Sequence, residues 1–178
     1  TVNGGTLRAN GTTTLSGTLA ISTGAFECAG GTTSVGGAFT HTGGTFWMNG
    51  GTTTFPNQIT AGGTFRVTAG TVNLNYSAGV PLTVTGTLLA DGNGTIGTAN
   101  AGNTVAIRVT TGDVDINGLT LTKLGTYAPT EGLTVESTAT ISNLNDITFN
   151  TPYDYGIFLN RTASETLTVR ACQFNATK

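Results

Sequence analysis

Residues 5–74 read GTLRANGTTTLSGTLAIST (5–23), GAFECAGGTTSVGGAFTHTG (24–43), GTFWMNGGTTTFPNQITAG (44–62) and GTFRVTAGTVNL (63–74). Set one above another, these pieces, three of 19 or 20 residues and a fourth of 12, say the same thing four times. Leu7, Phe26, Phe46 and Phe65 share one column, and Ala9, Cys28, Met48 and Val67 the next. Thr13, Thr33, Thr53 and Val72 make a third, and Leu15, Val35, Phe55 and Leu74 a fourth. A short period with aligned apolar columns implies one supersecondary unit stacked on itself.

Within residues 5–23 there are three alternating runs, at 6–10, 12–16 and 18–22. Their apolar residues stand two apart, the signature of strands. Gly11, Gly17 and Gly24 separate the runs where the chain must turn. Three strands and three corners make a triangular coil. Stacked coils pair each strand in parallel with its equivalent, about 4.8 Å away. Gly and Thr form helices poorly and the 3.6-residue period is absent, so no helix is expected.

Residues 77–104 read as an irregular transition that keeps the strand–turn rhythm, with a strong turn at Asp91-Gly92-Asn93-Gly94. From Val105 the coils lengthen. VDINGLTLT (114–122), SNLNDITFN (142–150) and LTVRACQFN (167–175) align without gaps at spacings of 28 and 25 residues. Their columns are Ile116, Leu144, Val169, then Leu119, Ile147, Cys172, then Leu121, Phe149, Phe174. The expectation is one all-β domain over residues 1–178, a single-stranded parallel β-helix or β-solenoid. It has short coils over 1–76, the transition over 77–104 and long coils over 105–178.

These columns resemble the parallel β-helix repeat of pectate-lyase-like proteins. The opening region is similar to the Gly/Thr-rich repeats of bacterial adhesins and autotransporter passengers. The resemblance implies a right-handed coil, as does the crossover rule, and an extracellular or cell-surface setting.

Only 9% of the 178 residues are charged, against about 25% in an ordinary domain. Net charge is −2 and the seven Lys and Arg are scattered, so no basic stripe suits a nucleic acid. Apolar runs are only a few residues long, which excludes a membrane-spanning helix. Cys28 and Cys172 both fall in inward columns and lie too far apart in the stack to pair, so buried free thiols are expected. The chain starts and stops in the repeat pattern, without a visible signal peptide or cap. We therefore expect a piece of something longer, or a subunit that stacks end to end on its own copies.

Chemistry-bearing residues are sparse. His41 shares a column with Ile21 and Ala61, which suits a structural histidine. Asp113 and Asp115 flank Val114 and should both point outward. Paired carboxylates at that range can do acid–base work on a glycoside or bind Ca²⁺. Their matches in the next coil read as Ile141 and Asn143, with no third carboxylate and no Arg or Lys. No cofactor is therefore expected, Ca²⁺ at Asp113 and Asp115 being the alternative. Tyr153 and Tyr155 sit in an inserted loop where they could stack on a sugar. One outward column reads Arg8, Glu27, Trp47, Arg66, with Glu27 beside Arg8, Trp47 beside Arg66, and Trp47 exposed. Another outward set is a threonine ladder: Thr12 and Thr14, Thr32 and Ser34, Thr52 and Thr54, Thr71 and Asn73. It resembles the flat face of ice-binding β-solenoids but covers only the first region. Asn-x-Ser/Thr sequons occur at Asn10, Asn75, Asn93, Asn160 and Asn175.

Three functions follow from this reading. The first is a non-enzymatic structural or adhesive β-helix at the cell surface or in a fibre. The alternatives are a carbohydrate-binding or polysaccharide-degrading β-helix, and an ice-binding β-solenoid.

Overall fold

Strands and corners alone make up the structure, a computed structural model that describes residues 1–100, 102–127, 130–151, 156–160 and 168–176. The chain winds into an all-β parallel β-solenoid of about seven turns, with no helix among the described residues. Every pairing in the main sheet is parallel and joins a strand to its equivalent one coil away. The antiparallel exception among the described residues is the small hairpin of Thr126–Tyr127 with Thr130–Glu131.

The solenoid has three faces. On the first, Leu7, Phe26, Phe46, Phe65, Leu88, Val114 and Ile141 stack inward in register. On the second, Thr13, Thr33, Thr53, Val72, Ile96, Leu121, Phe149 and Phe174 do the same. On the third, Ile21, His41, Ala61, Val84, Val109, Val135 and Leu159 make one inward column. The columns read from residues 5–74 and from 114–175 are thus the columns of the core. The segment between them carries strands at Leu82–Val84, Thr87–Ala90 and Gly94–Gly97, each paired to both neighbouring coils.

Three separate strands per coil is the expectation that changes most. The first and second faces run together as one bent strand in Thr45–Phe55, Thr64–Leu74, Gly112–Thr122 and Ala139–Thr151. Leu19–Val35 joins all three faces. The corner between the first two faces is a bulge inside the strand, made by one residue with left-handed backbone. Gly31, Gly51, Gly70 and Gly118 take this conformation, and Asp146 and Ala171 take it in the later coils. At Gly51, φ is +70° and a Cβ would stand 2.3 Å from the Gly31 carbonyl oxygen, so glycine is required twice over.

The interior of the short coils is aromatic. Phe46 is fully buried and its ring meets four others: Phe26 at 6.4 Å, Phe39 at 5.8 Å, Phe55 at 5.5 Å and Phe65 at 4.8 Å between centroids. Stacked and edge-on pairs at such distances add to the hydrophobic gain. Cys28 is buried and free, whereas Cys172 is only half-buried because it lies in the last described coil, with no described coil beneath it. Among the described residues, no helix is long and apolar enough to cross a membrane.

Candidate functional site

The outward column of the first face is a set of clasps between coils. Arg8 meets Glu27 at 3.3 Å, and the other carboxylate oxygen of Glu27 accepts from Asn49 Nδ2 at 2.8 Å. Glu27 is only 6% exposed, because Asn49 of the next coil lies across it. The Arg66 guanidinium sits 4.6 Å from the centre of the Trp47 ring, a cation–π contact. Trp47 is half-buried rather than exposed. Arg66 covers its ring and its indole Nε1 donates to Thr68 Oγ1 at 2.9 Å. Thr68 Oγ1 in turn donates to Asp91, which also forms a two-bond pair with Arg66. The Arg66 guanidinium, with help from Thr68, holds the Asp91 carboxyl below its usual range despite some burial.

Asp113 and Asp115 behave in the same way. A bulge at Ser142 shifts the register, so Asp113 faces Thr140 and Asp115 faces Asn143. This corrects the ungapped match of Asp113 to Ile141. One extra residue in the second strand moves the apolar side chain inward, opposite Val114. Asp113 accepts from Thr140 Oγ1 at 2.8 Å, from Ser142 N at 3.1 Å and from Ser142 Oγ at 2.7 Å. Asp115 accepts from Asn143 Nδ2 at 2.8 Å. The two carboxylates cap the bulge of the following coil. Among the described residues no three His, Cys, Asp or Glu come together to hold a metal.

On the third face Arg108 Nε donates to Glu136 at 2.7 Å, and Asn160 Nδ2 donates to the other oxygen. Burial pushes the Glu136 carboxyl up, but the Asn160 and Arg108 bonds prevail and hold it below its ordinary value. His41 is 3% exposed and lies against Phe39. Its Nε2 lies 3.3 Å from the Gly44 carbonyl, and Nδ1 has no partner among the described residues. Burial lowers its pKa, the Gly44 contact opposing this in part. It is a neutral core histidine, as its column suggests.

An open cleft of about 360 Å³ lies near the last coil, where Arg170 bridges to Asn145 and shares backbone hydrogen bonds with Leu144 and Asp146. Ser142, Asn143, Asn145 and Arg170 line it, with no carboxylate among the described residues. Tyr153 and Tyr155 lie outside the described residues.

The second face is where the threonines converge. Thr32, Thr52, Thr71, Thr95, Thr120 and Thr148 are partners in one unbroken register, followed by Gln173. The ladder therefore does not stop at Asn73. It crosses the transition and continues through the long coils. Sequence alignment misses this because the spacing changes between Thr71 and Thr148, and only backbone pairing restores the register. The second column is shorter, running Thr14, Ser34, Thr54, Asn73, Gly97.

No family model, no curated protein and no solved structure matches the chain. Its class rests on its own geometry, which is that of a parallel β-solenoid.

Proposed function

We propose that the chain is a structural module of an extracellular or cell-surface protein, a rigid β-solenoid spacer or adhesive rod without catalytic activity. One observation carries this reading. The ion pairs Arg8–Glu27, Arg66–Asp91 and Arg108–Glu136 each tie one coil to the next, as do Asp113 and Asp115. Glu27, Asp91, Asp113, Asp115 and Glu136, carboxylates of the kind that could serve acid–base chemistry in a polysaccharide-cleaving β-helix, are occupied in holding the stack together. The resemblance to adhesin and passenger repeats, and the low charge, support the extracellular setting.

The end coils fit the same role. Leu7 is 52% exposed, and Val169 and Phe174 are 45% and 65% exposed, although their columns are otherwise buried. A further coil, from flanking sequence or from another copy, would cover them and extend the parallel ladder.

Negative-stain microscopy of the purified chain tests the proposal. Thin rods of uniform width are expected, lengthening with concentration if copies stack end to end. Compact particles of no defined width would refute it, and so would cleavage of a uronate polymer in an activity screen.

A further inference from the structure

The second face combines three properties over six successive coils, where the threonine stacks Thr40–Thr60–Thr83 of the third face and Thr45–Thr64–Thr87 of the first span only three. First, it is uncharged. Its described outward strand residues are Thr14, Thr32, Ser34, Thr52, Thr54, Thr71, Asn73, Thr95 and Gly97, then Thr120, Thr122, Thr148, Asn150, Gln173 and Asn175, while the ion pairs among the described residues sit on the first or third face. Second, its hydroxyls are free. Thr68, Thr98, Thr111, Thr138 and Thr140 donate to carboxylate, amide or carbonyl oxygens. The threonines from Thr32 to Thr148 in the long column make no side-chain hydrogen bond among the described residues. Third, it repeats. Parallel pairing sets the threonines about 4.8 Å apart along the stack, and two residues of strand set the columns about 6.6 Å apart.

Those three properties decide what the face can recognise. A β-branched side chain is stiff at χ1, so each threonine presents a methyl and a hydroxyl in a nearly fixed direction. The array is therefore ordered before anything binds, and binding costs little side-chain entropy. A compact ligand gains nothing from repetition over six coils. A surface that itself repeats gains at every step. Charges would hold tight, irregular hydration shells, and the described outward positions of the face have none. Its described outward positions also carry no aromatic ring on which a sugar could stack, since Trp47 belongs to the first face.

We propose that the second face is an ice-binding surface, with the column Thr32, Thr52, Thr71, Thr95, Thr120 and Thr148 as its contact line and the shorter Thr14, Ser34, Thr54 column widening it in the first coils. The free hydroxyls join the lattice as donors and acceptors, and the methyls between them order the water that bridges to it. This activity is independent of whether the module is part of a fibre.

The test is partition of the folded chain into a slowly grown ice hemisphere, with thermal hysteresis measured alongside. Thr52→Tyr and Thr95→Tyr place a bulky ring in the contact line at two separated coils. Thr60→Tyr places the same ring outward on the third face, where Thr60 pairs with Thr40 and Thr83. Circular dichroism checks that each variant keeps its β-content. The expected result is enrichment of the wild-type chain and of Thr60→Tyr in ice, with loss of both enrichment and hysteresis in the other two. Exclusion of the folded wild-type chain from ice overturns the proposal. Equal loss in Thr60→Tyr overturns the assignment to this face. Retention on crystalline cellulose or chitin with exclusion from ice makes a neutral polysaccharide the lattice and also overturns it.

Discussion

Replacing Phe46 by alanine removes the centre of the aromatic interior. The ring is fully buried and touches Phe26, Phe39, Phe55 and Phe65, which come from the coil above, its own coil and the coil below. Phe→Ala at a buried site costs about 3–5 kcal/mol through lost transfer energy and the cavity left behind. Four aromatic neighbours, each worth about 0.5–1.5 kcal/mol beyond area, place Phe46→Ala at the upper end of that range. The rings belong to three successive coils held by backbone ladders, so the cavity cannot collapse without breaking register. Urea unfolding followed by far-UV circular dichroism and by Trp47 fluorescence measures the loss. Trp47 adjoins the substituted residue and reports the short coils, while circular dichroism reports the whole stack. Because each coil contacts only its neighbours, the two probes should separate in the variant, with fluorescence changing at lower urea. Phe158→Ala is the control, since Phe158 is 43% exposed and its loss should stay within about 0.5 kcal/mol. A loss below about 1 kcal/mol for Phe46→Ala would refute the packed aromatic interior.

Further outcomes follow from particular residues. Gly51→Ala forces a side chain into left-handed backbone and against the Gly31 carbonyl, and should destabilise by more than about 1 kcal/mol. Its reciprocal, Ala171→Gly, removes the left-handed penalty at the equivalent corner and should stabilise the last coil, seen as slower hydrogen exchange at Cys172–Phe174. His41 is held neutral by burial, so the unfolded chain binds its proton more readily. Stability should be full above the ordinary value of 6.5, fall as pH drops below it, and level off beneath the lowered folded value. His41→Phe should flatten that profile in thermal melts across the range. Asp91→Asn weakens the pair with Arg66, which is about a third exposed on both sides, and should cost at most about 1 kcal/mol. The same substitution should shift Trp47 emission, because Thr68 and Arg66 both lean on Asp91 while they hold the indole.

The inward columns were legible because stacking sets like over like. Phe46 lies over Phe65 and Leu121 over Phe149 for the same reason that an alignment finds them. What an alignment sees poorly is anything that depends on the coil above or below. Alternation alone puts Glu27 and Trp47 outside. Asn49 and Thr68, each in the coil beyond, draw them partly in. Ser142 adds one residue that no pattern of apolar positions marks, and so Asp113 falls opposite Thr140. The threonine column was visible only while the period stayed constant. Through the transition, Thr71 pairs with Thr95 and Thr95 with Thr120, a continuity set by backbone hydrogen bonds rather than by spacing. The corners were read as breaks between strands because glycine marks both turns and bulges. Here Gly31, Gly51 and Gly70 bend a strand that carries on.

The one-coil offset of every main-sheet pairing has a mechanical consequence. Tension applied across the first and last coils runs along the stack and so along the inter-coil hydrogen bonds, loading them one row at a time. The molecule then behaves as a zipper rather than a shear joint. Each rupture frees one coil, and at about 3.4 Å per extended residue the short coils pay out about 65 Å and the long ones about 90 Å. A pulling trace should show two step sizes, the shorter from the Phe-rich end, with the higher force where Phe26, Phe46 and Phe65 must part.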